Sequence, residues 1–319
     1  MSQRLLFLCD PLSGFAIYKD TTYAMMVEAQ AQGAVVFAAT PDRLSAKTST
    51  PKSTLSVYAE QIEIQGSGVQ PWWKTVESGW QDIREFDVIL MRKDPPFDQE
   101  YFVATQLLDI ASRLGVRVVN APAALRDHGE KMAALEFPEF TPPTLVSSDL
   151  SSLKAFADEH QKIVIKPLDA MGGSGIFVLA AQDPNLPSAL ELLTDSGRRA
   201  IVAQRHLPAI VEGDKRIIVI NGQPVDVALA RIPQPGQSRG NLAAGGKGVV
   251  VPLSDRDREI ATAVGQRLLP RGLFLLGLDV IGDSLTEINV TSPTGFQEIK
   301  AQSGIDVAAL FINALHQTS

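Results

Sequence analysis
The chain has 319 residues, 45% hydrophobic and 20% charged, with a net charge of −7. That length supports two or three modest domains, and the acidic balance excludes a nucleic-acid footprint as the main role, so any anion site must be local. The single cysteine, Cys9, excludes an internal disulfide framework and fits a reducing cytoplasm, while the lack of an 18-residue apolar run or a signal-peptide pattern sets aside a membrane role.

Strand and helix signals alternate over the first 120 residues. Residues 4–9 read as a strand ending at Asp10 and Pro11. Residues 20–32 read as a helix, with Asp20 or Thr21 as N-cap and Gly33 just past the end. Residues 34–39 and 87–91 are further strands, and a helix through 107–114 stops at Gly115 before a strand at 116–119. This order predicts a parallel sheet covered on both faces. Ligands on such sheets sit beyond the carboxyl ends of strands, where Asp10 and residues 92–95 fall. The polar stretch 44–79 reads as an insertion with one short hairpin.

Prolines at 122, 138, 142 and 143 mark a change of regime. Residues 151–160 read as a helix, 162–166 as a strand, and 176–180 as another after a glycine-rich turn. From residue 201 the pattern is strand-rich, with strands at 201–204, 216–220 and 225–230. Asn221-Gly222 is a hairpin-turn pair, and residues 305–316 form an amphipathic helix.

The segment 277–290 is the most informative. It reads as a hairpin with hard oxygen donors planted in an apolar ribbon. Glu287 and Asn289 share a face because strand side chains alternate, and Ile288 and Val290 take the core face. A three-residue loop over 282–284 would pair Asp279 with Glu287, whereas a two-residue loop would send Asp279 to the opposite face. Two oxygen donors two residues apart, with a carboxylate on the partner strand, suit Mg²⁺ shared with phosphates. The plain alternative is an ordinary hairpin with a solvated outer face.

The run Lys166-Pro167-Leu168-Asp169-Ala170-Met171-Gly172-Gly173-Ser174-Gly175 lies between two strands. Its glycines let backbone N–H groups approach phosphate oxygens, and Lys166 adds positive charge. It is not a Walker loop, since no helix follows; a flexible hairpin turn is the bland reading. Residues 240–248 also fail the Walker spacing and read as a mobile loop carrying Arg239 and Lys247, of the kind that excludes water from reactive intermediates. Arg205, Arg216, Arg231 and Arg239 are candidate clamps for carboxylate and phosphate, with Arg216 and Arg231 best placed to point inward. The four histidines show no metal-ligand spacing, and no Gly-x-Ser-x-Gly motif occurs. The chemistry therefore reads as positioning and charge stabilisation around a nucleotide.

Several runs together resemble one family. They are Met91-Arg92-Lys93-Asp94-Pro95-Pro96-Phe97-Asp98, the 166–175 loop, Leu207-Pro208-Ala209-Ile210, Gly213-Asp214-Lys215-Arg216, Ala230-Arg231-Ile232-Pro233, Arg239-Gly240-Asn241-Leu242-Ala243-Ala244-Gly245-Gly246 and Thr286-Glu287-Ile288-Asn289-Val290-Thr291-Ser292-Pro293-Thr294. In this order they resemble the bacterial type of glutathione synthetase, an ATP-grasp enzyme, nearly end to end. Ala170, Gly129 and His206 depart from the pattern, standing where glycine, asparagine and a tyrosine-like residue are expected.

The resemblance implies an α/β protein in three parts: an N-terminal parallel α/β substrate-binding domain over 1–122, a central ATP-grasp lid over 123–200, and an antiparallel catalytic platform over 201–319. It implies that Lys131 and Lys166 contact ATP phosphates, that Gly172, Gly173 and Ser174 cover them, that Gln204, His206 and Leu207 form the adenine hinge, and that Asp214 lies near the ribose. Asp279, Glu287 and Asn289 would hold Mg²⁺, with Mn²⁺ as the alternative ion. Arg216, Arg231 and Arg239 would face the peptide and the transferred phosphoryl group as catalytic residues, and Asn289, Ser292 and Thr294 would line the substrate pocket. The implied reaction joins γ-glutamylcysteine to glycine with ATP through an acyl phosphate, in a cytoplasmic homo-tetramer that binds neither nucleic acid nor membrane. The alternatives are another ATP-grasp carboxylate–amine ligase and a non-catalytic nucleotide-binding module. A Rossmann oxidoreductase is disfavoured because no Gly-x-Gly-x-x-Gly turn follows the first strand.

Overall fold
A computed structural model describes residues 2–169, 172–234 and 245–317. The N-terminal part runs β1 (Arg4–Leu8), α1 (Thr21–Ala31), β2 (Val35–Ala39), β3 (Leu44–Ser49), β4 (Lys52–Ile64), β5 (Trp73–Asp82), β6 (Val88–Met91), α2 (Gln99–Arg113) and β7 (Arg117–Val119). Strands β2, β1, β6 and β7 are parallel neighbours in that order. Alternate β1 residues feed two cores, since Leu6 and Leu8 cluster with Ala104 and Leu108 of α2, and Leu5 and Phe7 with Met25 and Met26 of α1. The two helices therefore cover opposite faces, as the alternating pattern predicts. Asp20 caps α1 by accepting from Tyr23 N at 2.8 Å, and Gly33 takes φ +86° after it, a conformation glycine adopts freely.

The stretch expected to hold one short hairpin is instead a three-stranded antiparallel extension. The 13-residue β4 pairs with β3 and β2 along one edge and with β5 along the other. Its inward residues Leu55, Val57, Ala59, Ile62 and Ile64 are buried, so a mostly polar composition hid a period-2 buried stripe.

After α3 (Pro122–Asp127) the chain enters a second sheet, built from β8 (Thr144–Ser147), β9 (Lys162–Pro167), β10 (Phe177–Ala180) and β11 (Ile201–Arg205), with α4 (Leu150–His160) and α5 (Leu186–Leu193). Its order is β10-β9-β11-β8, all antiparallel. It has a core of its own, including Leu153, Ile163, Ile165, Leu190 and Ala203. The division expected after residue 200 thus cuts into this sheet: the backbone of β11 pairs with β8 and β9, carrying the sheet five residues further.

The third sheet has the order β14-β13-β12-β15-β16. It contains β12 (Asp214–Ile220), β13 (Gln223–Ile232), β14 (Lys247–Pro252), β15 (Leu275–Ile281) and β16 (Ser284–Asn289), with α6 (Asp255–Leu268) between β14 and β15. Helix α6 opens on a capping box, in which Ser254 and Asp257 each accept the other's backbone N–H. Asn221 and Gly222 turn β12 into β13 with φ +49° and +76°, as the dipeptide predicts. Helices α7 (Phe296–Ser303) and α8 (Val307–Gln317) return to the N-terminal part, where Gln297 Nε2 donates to Ile17 O and Asp20 O at 2.6 and 2.7 Å. Asn120, buried just past β7, joins the outer sheets. Its Nδ2 donates to Leu275 O and Val290 O at 2.8 and 2.7 Å, and its Oδ1 accepts from Phe274 N and Leu275 N at 2.8 and 2.9 Å.

Candidate active site
The third sheet has an oily face and a chemical face. Ile217, Val219, Leu278, Val280, Leu285 and Ile288 are buried and share a core with Ile260, Val264 and Leu268 of α6. Alternation sends Asp214, Arg216, Arg231, Asp279, Glu287 and Asn289 the other way, and all six line one cleft of about 470 Å³. Cross-strand register sets Asp214 opposite Arg231, Arg216 opposite Asp279, and Asp279 opposite Glu287.

That last pairing does not arise as expected. The β15–β16 turn has two residues, Gly282 and Asp283, because Ile281 pairs with Ser284. Such a turn alone would set Asp279 opposite Thr286. A bulge leaves Thr286 unpaired between Leu285 and Glu287 and restores Asp279–Glu287. Thr286 Oγ1 donates to Asp279 O at 3.0 Å, closing the irregularity. The three-residue loop is therefore corrected to a two-residue turn plus a bulge, with the same outcome for the site.

Asp279 sits in a knot of charge. Its Oδ1 accepts from Arg216 Nε at 2.6 Å, and its Oδ2 from Arg216 Nη2 at 3.1 Å and Arg231 Nη2 at 2.8 Å. Arg231 also bonds Asp214 Oδ2. Burial alone would raise the Asp279 pKa, but the two guanidiniums outweigh it and hold the carboxyl well below the usual range. Burial pushes Asp214 up to about 6, against the pull of Arg231. The arginines point inward as anticipated, yet they are bound to carboxylates. Asp214 belongs to this knot, and its Oδ1 is buried with no hydrogen-bond partner among the described residues.

The facing wall comes from the central sheet. Lys166, on β9, is buried; desolvation lowers its pKa, with Glu287 pulling the other way. Lys131 Nζ lies 3.8 Å from Glu287 Oε1. Gly172, Gly173 and Ser174 line the cleft, with φ +64° and +84° at the two glycines; side chains rarely take such values. Gln204, His206 and Leu207 line it at the end of β11. Gln204 Nε2 donates to Thr144 Oγ1 at 3.0 Å, and His206 N to Lys162 O at 3.0 Å. Burial and then the nearby Lys162 ammonium lower the His206 pKa. Ser292 and Thr294 complete the lining. Ala170 and Arg239, with most of the expected mobile loop, lie outside the described residues.

Two residues given no site role in the sequence reading also shape the cleft. Glu130 Oε1 accepts from Val290 N, Thr291 N and Thr291 Oγ1 at 3.2, 3.3 and 2.7 Å, and its carbonyl accepts from Ile288 N at 3.0 Å. It fastens the segment before Lys131 to the end of β16. Arg92 is buried: its Nε donates to Thr22 Oγ1 and its Nη2 to Pro293 O, both at 3.1 Å. Its position beyond the carboxyl end of β6 was the available signal.

The donor set fits a hard divalent cation. Two carboxylates and an amide share one face of adjacent strands, and Asp279 is kept ionised. Asn289 Nδ2 donates to Gly277 O at 3.0 Å, which commits its nitrogen to the backbone and leaves its oxygen as the donor. Among the described residues no group of three or more His, Cys, Asp or Glu is arranged to hold a metal ion by itself. The set therefore suits an ion whose remaining positions are filled by phosphate or water.

Comparison with known proteins agrees with this geometry. Residues 3–126 match the family described as prokaryotic glutathione synthetase, N-terminal domain, and residues 130–304 its ATP-grasp domain. Glutathione synthetase of Neisseria meningitidis serogroup A is 49% identical over 316 residues, covering 99% of each chain. That of Nitrosomonas europaea is 50% identical over 316 residues, covering 98% of each. Among solved structures, D-cycloserine synthetase DcsG superposes with TM-score 0.67 at 13% identity, over 98% of this chain and 99% of that one, a likeness of fold alone.

Proposed function
The chain belongs to the prokaryotic glutathione synthetase family and carries out ATP-dependent glutathione synthesis as an ATP-grasp ligase, and on that premise we propose how its residues divide the work. ATP lies between the central and third sheets, with its phosphates toward Lys131, Lys166 and the 172–174 turn and its adenine against Gln204, His206 and Leu207. The observation that carries this reading is the cross-strand row of Arg216, Asp279 and Glu287 facing two lysines across one cleft.

In the proposed reaction the cysteine-end carboxylate of γ-glutamylcysteine attacks the γ-phosphorus of ATP. The bond to the β-phosphate oxygen breaks and ADP leaves. The glycine amine then attacks the acyl phosphate carbon, the amine loses its proton, and inorganic phosphate departs. The carboxylate and the triphosphate repel each other, so cations must neutralise both before they meet. Lys131 and Lys166 do this from one wall and Arg216 and Arg231 from the other. Asp279, Glu287 and Asn289 would hold Mg²⁺ or Mn²⁺, which when bound neutralises phosphate oxygens. Ser292 and Thr294 line the peptide end. Asp214, bound to Arg231, orients that guanidinium in place of the ribose role first expected of it. The enzyme acts in the cytoplasm as a homo-tetramer.

The test is ADP formation with each substrate omitted in turn. Turnover that needs both γ-glutamylcysteine and glycine supports the reading. ADP release that is indifferent to either would mean a different acceptor or amine, and so a different ligase.

A further inference from the structure
Among the described residues β16 is the last strand of its sheet, so no strand pairs with its outer edge. Two alternate N–H groups on that edge, at Ile288 and Val290, both end on one residue of another segment. Ile288 N donates to the main-chain carbonyl of Glu130 at 3.0 Å, and Val290 N to its Oε1 at 3.2 Å. Thr291 adds its N and Oγ1 to the same oxygen, at 3.3 and 2.7 Å. Glu130 thus stands in for a missing strand, and it does so on both sides of Asn289. From the inner edge Asn289 is held by its side chain, whose Nδ2 donates to Gly277 O. The residue after Glu130 is Lys131, whose Nζ lies 3.8 Å from Glu287 Oε1. One residue therefore ties the strand that carries Glu287 and Asn289 to the segment that carries Lys131, and it lines the cleft beside all three.

Lys131 and an ion held by Glu287 and Asn289 have to meet oxygens of one triphosphate at the same time. Their separation is set by whatever fastens residue 131 to β16, and a misplacement of about 1 Å in such an arrangement can cost on the order of a hundredfold in rate. We propose that Glu130 is the positioning residue for that separation, locking the Lys131 segment to the ion-binding strand so that lysine and ion grip the same phosphates. This rests on the functional reading above and adds a residue to it. The role needs an acceptor and not a charge. Oε1 takes three donors, more than its share of the lone pairs of a carboxylate, so it is committed to the protein. An amide oxygen in the same place would accept the same bonds.

The test reads Mn²⁺ binding in the presence of a non-hydrolysable ATP analogue, from the EPR signal of the free ion, beside ADP formation in the full-length enzyme. Glu130→Ala should bind Mn²⁺ about tenfold more weakly and lose on the order of a hundredfold in kcat, while KM for γ-glutamylcysteine and for glycine stays within about threefold. Glu130→Gln should return both Mn²⁺ binding and kcat to within about threefold of the parent, because its amide oxygen accepts the same bonds. Thr291→Val deletes the shortest of those bonds and should weaken Mn²⁺ binding by about threefold, the scale of one hydrogen bond. If Glu130→Ala does not fold, Thr291→Val and Glu130→Gln decide, and parent-like Mn²⁺ binding in Thr291→Val would then overturn the proposal. A Glu130→Ala enzyme whose melting temperature falls while Mn²⁺ binding holds would overturn it in favour of a purely structural role. Glu130→Gln as impaired as Glu130→Ala would overturn it by assigning the effect to the charge. If the parent enzyme forms no ADP from γ-glutamylcysteine and glycine, the functional reading itself has failed, a result separate from all of these.

Discussion

Among the described residues Glu287 pairs with Lys131 at 3.8 Å, and it is half-buried. Folding therefore asks little of it, while the proposed cation site asks a great deal. Glu287→Ala should keep its unfolding midpoint within a few degrees and lose about a hundredfold or more in kcat; normal turnover would remove Glu287 from the site. Asp214 invites a test of sign. Burial raises its pKa from 3.8 to about 6. An acid whose folded pKa is raised contributes stability that is fully present below the unfolded value and lost as pH rises through the folded one. Asp214→Asn does not titrate. Its stability relative to the parent should therefore improve between about pH 4 and pH 6, and urea midpoints at four pH values would show this. A difference that is flat or falls with pH would mean that Arg231 controls Asp214 more strongly than burial does. At this scale much was legible in the sequence, since the spacing of Glu287 and Asn289 fixes their common face through the period of a strand. The grip of Glu130 on Val290 and Thr291 was not, because it joins residues far apart in the chain and no local period reports it.

Elements bring those residues into register, and here local pattern and final structure part company in an instructive way. The apolar alternation in 277–290 announces a hairpin, but Gly282-Asp283 closes a two-residue turn that would misalign the ligands. The bulge at Thr286 corrects it. A bulge has no composition signal of its own, so the sequence supported the pairing only through an incorrect loop length. Strand β4 was missed for a related reason, because its buried stripe runs through serines, glutamates and glutamines. Asn120 shows what joins elements once they exist. Its side chain makes four hydrogen bonds to backbone groups on or beside β15 and β16. Asn120→Ala would leave buried carbonyl and N–H groups without partners, at roughly 1–3 kcal/mol for each unsatisfied group. A loss of at least about 3 kcal/mol is expected in denaturant unfolding, with Asn120→Asp no better because its carboxylate would face two carbonyls. A loss under about 1 kcal/mol would show that the sheets hold their register without it.

Across the whole molecule, the N- and C-terminal parts share cores and interlock through α1, α7 and α8, whereas the central sheet buries Leu153, Ile163, Ile165 and Leu190 in a cluster of its own. The packing of α7 and α8 on α1 lies outside what periodicity can report, since an amphipathic face names no partner. The cleft is lined by all three parts, so a ligand that fills it adds contacts between bodies that otherwise keep separate cores. A ligand that binds only the folded chain stabilises it by about 2.7 kcal/mol at a hundred times its Kd, which is several degrees of melting temperature for a chain of this size. The bridging depends on charge. Lys166 is buried with its pKa lowered by desolvation, and a triphosphate would restore the favourable environment that burial took from its ammonium. ATP with Mg²⁺ should therefore raise the melting temperature by several degrees, and ATP with a chelator by distinctly less, because Asp279 and Glu287 then face the phosphates without a cation between them. Lys166→Met should lose most of the shift with Mg²⁺ while its own unliganded melting temperature stays equal or rises, since a buried ammonium whose charge desolvation opposes has been removed. An identical ATP shift with and without the divalent ion would break the link between the carboxylate row and the nucleotide, and with it the placement of the cation on Asp279, Glu287 and Asn289.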